Sequence, residues 1–190
     1  MRIIQSRELF AGRIVTLSLD EIVIADQRLE MECIRHPGGA AVVPVMTDGS
    51  VIMIEQFRYA VDAALWEIPA GRLERGESPL ACAARELEEE TGYRAGRMEK
   101  LADIYSAPAY CTEIISVFLA TGLKVGQQHL DGDECIRVVR LSLGEALQQV
   151  LSAGVCDAKT LVGLLMARDR IGEKATIPLT NNTLQCNDLP

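Results

Sequence analysis

The sequence predicts a mixed α/β domain preceded by a small β-rich arm. Three observations carry that reading. Residues 13–35 alternate apolar and polar, the period of a half-buried strand. Two apolar runs, "AAVVPVM" and "VIMIEQF", follow with the density of buried strands. Three later segments change to the helical period and carry their own start and stop signals.

In chain order, the arm reads as an antiparallel meander with turns at "DE" (20–21) and "ADQR" (25–28). "HPGG" (36–39) punctuates the chain and sets the internal boundary. The two apolar runs, joined by "TDGS", read as a hairpin. "DAALWEIPAG" gives a strand and a loop, and a helix follows at about 79–91. Strands are expected near 99–105, 113–120 and 134–141. "SLGEALQQVLSAG" starts on a capping box, Ser142 with Glu145, and Gly154 is its stop signal. "DAKTLVGLLMARDR" takes Asp157 as N-cap. The division is therefore an arm at 1–38, a domain at 39–172 and a loosely held polar tail at 173–190.

Composition excludes several functions. With a formal net charge of −8, the chain lacks the basic surface that nucleic acids and anionic membranes require. The start lacks the apolar core of a signal peptide, and no apolar run approaches membrane-spanning length. The six cysteines are scattered without a CxxC pair, and read as buried, reduced thiols of a cytoplasmic protein. His36 and His129 are the only histidines and are far apart, so a histidine metal cluster is not expected.

The chemistry concentrates in "RELEEETG" (85–92), where four glutamates fall within five positions. Ser78 can cap this helix, Pro79 suits its first turn and Gly92 its C′ position. Leu80, Ala83, Ala84 and Leu87 share an apolar face. Relative to Leu87, Glu90 falls at about −60°, Glu86 at about −100° and Glu89 at about −160°. They form one acidic arc beside the stripe, while Glu88 points to the opposite flank and reads as an ordinary surface residue. Arg85 and Arg94 are too few to neutralise that arc. A hard divalent cation would do so, since Mg²⁺ favours carboxylate oxygens. A solvated acidic face is the competing account of the helix taken alone.

The surroundings of the helix decide between them. "GRLERGESPLACAARELEEETGY" (71–93) reads G-x5-E-x7-R-E-U-x-E-E-x-G-U, with U a bulky apolar residue. This resembles the Nudix box, with every fixed position filled. The resemblance implies an α/β/α sandwich around a mixed sheet, and hydrolysis of a nucleoside diphosphate linked to another moiety. Mg²⁺ is the implied cofactor, with Mn²⁺ able to substitute. Glu86, Glu90 and Glu89 become implied metal ligands together with the carbonyl of Ala70, and Arg85 and Glu77 orient the carboxylates. "EQFRYA" (55–60), "LWEIPAG" (65–71) and "DAKT" (157–160) resemble the ADP-ribose pyrophosphatase branch, and Pro108 stands where that branch carries a marker proline. NDP-sugar pyrophosphatases share this framework, and a non-catalytic nucleotide-sensing module is the third reading.

Further roles follow. Arg58 is expected to contact a substrate phosphate, and Glu113 to lie near the substrate or metals. Trp66 reads as core or dimer packing. A metal-bound carboxylate is a poor proton acceptor, so the general base is expected outside the helix. Glu134, in the polar loop "GQQHLDGDE" (126–134) that could close over substrate, is the candidate, and Glu113 is its rival. Finally, a small meander cannot bury its own apolar face. A homodimer is therefore expected, with the residue 10–38 arm packed on the partner's domain, as in the dimeric relatives the resemblance brings.

Overall fold

The computed structural model describes residues 1–130, 132 and 135–172. The predicted tail at 173–190 lies outside them, as do Asp131, Asp133 and Glu134.

The arm is a three-stranded antiparallel sheet of β1 (Arg2–Ala11), β2 (Thr16–Ile24) and β3 (Gln27–Arg35), with β2 central. No turn forms at 20–21. Asp20 and Glu21 lie inside β2, because Asp20 is buried and held by Ser6 from β1 and Arg35 from β3. The turn at 25–26 does form, with Ala25 and Asp26 both in the left-handed region.

After the HPGG segment come β4 (Gly39–Pro44) and β5 (Val51–Arg58). The predicted hairpin survives only as one bridge, Val45 to Val51. Beyond it the two strands part into different sheets, since each is apolar enough to be buried by other partners. β5 is central in a sheet with β6 (Ala63–Glu67) and β12 (Ile136–Leu141). β4 joins β7 (Ala70–Arg72), β9 (Arg97–Tyr105) and β10 (Ile114–Thr121) in the order β7-β4-β10-β9. Only β4 and β10 pair in parallel, so that sheet is mixed. A short ladder joins β8 (Tyr93–Arg94) to β11 (Lys124–Val125).

Among the described residues, three helices cover the sheets: α1 (Pro79–Thr91), α2 (Leu143–Ser152) and α3 (Ala158–Ile171). Alternate residues of β4 serve opposite faces, as a strand requires. Ala40 and Val42 pack with Cys82, Ala83 and Leu87 of α1. Ala41 and Val43 pack with Leu143, Leu147 and Leu164 of α2 and α3. Helix on one face and helices on the other make the sandwich. Capping follows expectation, with Ser78, Ser142 and Asp157 each accepting a backbone N–H and Gly92 closing α1 in the left-handed region. Gly154 stands one residue beyond the Ala153 cap.

Two expectations need correction. Leu80 and Ala84 are exposed, and the buried residues of α1 are Cys82, Ala83, Glu86, Leu87, Glu90 and Thr91. The helix is rolled so that two glutamates lie in the buried stripe, because other parts of the chain supply their partners. Of the cysteines described, all are free but only Cys82 is buried, and Cys135 is exposed.

Candidate active site

The buried glutamates are placed by β7. Its first residue, Ala70, donates its backbone N–H to Glu90 Oε2 at 2.9 Å. Glu90 is 1% exposed and Glu86 8%. A β-carbon on Gly71 would stand 1.8 Å from Glu86 Oε1, so only glycine leaves room for that carboxylate. The Gly71 of the motif is thus a matter of space.

Arg85 ties the arc together. Its Nη1 donates at 2.8 Å to both Glu86 Oε1 and Glu89 Oε2, and its Nε at 2.9 Å to Glu77 Oε1. The hydrogen bonds to Glu77 contribute most to holding the guanidinium protonated, burial opposes them, and Glu89 and Glu86 add to the effect. In return Arg85 holds the Glu77 carboxyl below its ordinary range. The orienting role expected of Arg85 and Glu77 has this geometry. Glu88 lies on the opposite flank, where it pairs with Arg94, a cation the sequence offered to the acidic arc. Cys82, under the same turn, is no nucleophile. Burial first, then the charges of Glu77 and Glu86, push its thiol up to about 12.

Arg85 draws Glu86 and Glu89 towards itself, and among the described residues no three His, Cys, Asp or Glu side chains converge as a metal-binding group. The donor chemistry nevertheless fits a hard divalent ion. Glu86, Glu89 and Glu90 lie on one flank of α1, two of them buried, and the carbonyls of Gly71 and Arg72 in β7 meet Cys82 and Arg85 of the same helix.

Ala70 and Gly71 also form one wall of a cavity of about 350 Å³. Its other walls include His36, Arg58, Arg72, Glu113, Asp157 and Lys159. Arg58 and Glu113 therefore share one cavity with Ala70 and Gly71, the residues that meet the glutamates of α1. His36 Nδ1 lies 3.3 Å from Glu113 Oε1 and accepts the Gly38 N–H. Pro108 is not on this cavity. It lies in the 107–110 turn, against a separate depression shared with the arm. Trp66 is partly buried against the core, with Arg137 over its ring at 5.5 Å.

Glu134 lies outside the described residues, but the start of its loop does not. Gly126 N donates to Gly92 O, His129 N to Glu89 O and the Gln128 amide to Glu90 O. Residues 126–129 are thereby fastened to the last turn of α1. The helix end offers unpaired carbonyls and the loop satisfies them.

The family model described as the NUDIX domain matches residues 35–160. The chain belongs to the NUDIX domain family. Curated relatives agree with that membership in this Nudix hydrolase. It is 40% identical to the ADP-ribose pyrophosphatase of Bacillus subtilis (strain 168), over 83% of this chain and 86% of the relative. It is 38% identical to the methanol dehydrogenase activator of Bacillus methanolicus, over 85% and 89%. A GDP-mannose pyrophosphatase of Cronobacter sakazakii is 35% identical over 71% and 79%. The solved structure of an ADP compounds hydrolase superposes with a TM-score of 0.78 at 22% identity, covering 92% of this chain and 96% of that one, and shows the same fold.

Reading the sequence missed several residues of the cavity and one behind it. Lys159 on the cavity and Glu67 behind its wall fell inside the family-like motifs without a role, and Arg72 had none. His36 stood in a segment read as a boundary. The signal available was charge at an apolar strand end, as at Glu67 in "ALWEI".

Proposed function

We propose that this Nudix hydrolase cleaves the pyrophosphate bond of ADP-ribose to AMP and ribose 5-phosphate. One juxtaposition carries the reading: a cavity lined by Arg58, Arg72 and Lys159 shares its Ala70–Gly71 wall with the carboxylates of Glu86 and Glu90. The cations suit a diphosphate, and the carboxylates suit its metal. Glu86, Glu89 and Glu90, with the Ala70 carbonyl, would hold Mg²⁺, or Mn²⁺ in its place. Bound there, the ion would screen the phosphate charge and lower the pKa of a water. Arg85 keeps the carboxylates in register, Arg58 binds the phosphate, and Glu134 or Glu113 takes the proton. Pro108, in the turn that follows Tyr105 and Ser106 of the cavity lining, would meet only a part of the substrate that extends beyond the cavity.

The ADP-ribose pyrophosphatases among the relatives support this substrate, and the GDP-mannose pyrophosphatase supports an NDP-sugar as the second reading. A turnover panel of ADP-ribose, UDP-glucose, GDP-mannose and dinucleoside polyphosphates, run with Mg²⁺, separates them. Preference for ADP-ribose upholds the first reading, and preference for a nucleotide sugar replaces it.

We infer in addition a cytoplasmic homodimer, acting without nucleic acid or membrane. Free thiols accord with that compartment. No helix among the described residues is long and apolar enough to cross a membrane. All of β1 is exposed, and Ile3, Leu9, Phe10, Leu29 and Met31 of the arm lack a covering layer in the single chain. A second copy would cover them. The proposed division remains an arm at 1–38 and a hydrolase domain at 39–172.

A further inference from the structure

Glu67 ends β6 behind the cavity wall, 1% exposed and not itself lining the cavity. Both its oxygens are taken. Arg58 donates from Nε to Oε1 at 2.6 Å and from Nη2 to Oε2 at 2.8 Å. Lys159 Nζ donates to Oε2 at 2.5 Å and lies 3.0 Å from Asp157 Oδ1. Arg58 comes from the end of β5 and Lys159 from the first turn of α3, so one carboxylate joins two cations from distant parts of the chain. Both cations line the cavity.

A buried ion cluster is a poor device for stability, since apolar side chains of similar volume often serve as well. It is a good device for fixing donors. An ammonium has three donors; Glu67 takes one of Lys159's, and the charge of Asp157 Oδ1 stands 3.0 Å from the same nitrogen. A guanidinium has five, and Glu67 uses two of Arg58's. The remaining donors are held in place at the cavity, with little freedom left to lose on binding. Arg58 also experiences the charge of Glu90, so this wall stands within electrostatic range of the acidic helix.

We propose that Glu67 is a positioning residue that fixes Arg58 and Lys159 as a paired cationic wall, and that Lys159 donates to diphosphate oxygens turned away from the Glu86–Glu90 face. The substrate class rests on the pyrophosphohydrolase reading above.

The test is steady-state kinetics on ADP-ribose with Glu67→Gln, Lys159→Met and the double variant, alongside thermal unfolding and Mg²⁺ titration. Each single variant is expected to raise KM about tenfold, with a much smaller change in kcat and an unmoved Mg²⁺ requirement. The double variant should lose less than the product of the two. KM within about twofold of wild type for Lys159→Met, or a loss confined to kcat with a shifted Mg²⁺ requirement, overturns the proposal. If Glu67→Gln does not fold, Lys159→Met decides alone. If the wild type hydrolyses nothing in the panel, the pyrophosphohydrolase reading fails instead. The wall is then read by titrating inorganic pyrophosphate against the fluorescence of Trp66, the only tryptophan and the neighbour of Glu67. Binding weakened about tenfold in Lys159→Met supports the wall, and equal binding overturns it.

Discussion

Gly71 and Glu86 touch so closely that a β-carbon on the first would displace the carboxylate of the second. The obstructing atom is the end of a flexible side chain, so Gly71→Ala should fold while Glu86 swings aside. Turnover is expected to fall on the order of a hundredfold, as for a misplaced catalytic group. Thermal unfolding should change little. Full turnover in Gly71→Ala would show that the position of Glu86 is irrelevant to the reaction.

Glu90→Gln tests the metal assignment with the least disturbance. The amide oxygen can still accept the Ala70 N–H, so the fold is retained while the charged ligand is lost. Turnover should fall at least about a hundredfold at saturating Mg²⁺. Activity within about threefold of wild type removes Glu90 from the ligand set. Glu88→Gln, on the flank facing Arg94, is the control and should leave turnover unchanged.

Glu67 also makes stability depend on pH. Burial alone would raise its pKa, but the hydrogen bonds from Arg58 and the charges of Lys159 and Arg58 outweigh it and lower it below its ordinary value. The folded pKa lies below the unfolded one, so its contribution is complete above the unfolded value of about 4.3 and is lost as pH falls through the folded pKa. The gap in melting temperature between wild type and Glu67→Gln should therefore shrink as pH falls from about 5 towards 3. A constant gap over that range contradicts the linkage.

The general base is decided by comparing Glu134→Gln with Glu113→Gln across pH. The base variant should lose turnover and the acidic limb of its pH profile while still binding substrate and metal. If Glu134→Gln keeps most of its turnover and Glu113→Gln loses it, Glu113, in the cavity and 3.3 Å from His36, takes the role.

Light scattering tests the dimer. At micromolar concentration the mass should be twice the 20.8 kDa of one chain. Phe10→Glu, at a residue 60% exposed in the single chain, should shift it towards the monomer. A wild-type mass near 20.8 kDa rejects the dimer.

The sequence by itself determined the local features. The ends of α1, α2 and α3, the turn at 25–26 and the Nudix spacing are written in neighbouring residues, because caps, turns and helical period act over a few positions. The orienting role of Arg85 came only through the resemblance to the Nudix box, since helix position alone offered Arg85 and Arg94 alike as cations near the arc. Tertiary structure decided what depends on distant partners. β4 and β5 part because β10 and β12 bind them more extensively than they bind each other. The acidic helix is rolled inward because Ala70 and Gly71 hold its glutamates from another strand. Arg58, Glu67 and Lys159 meet only where β5, β6 and α3 come together. Such contacts are fixed by the packing of separate elements, and no spacing within one segment specifies them.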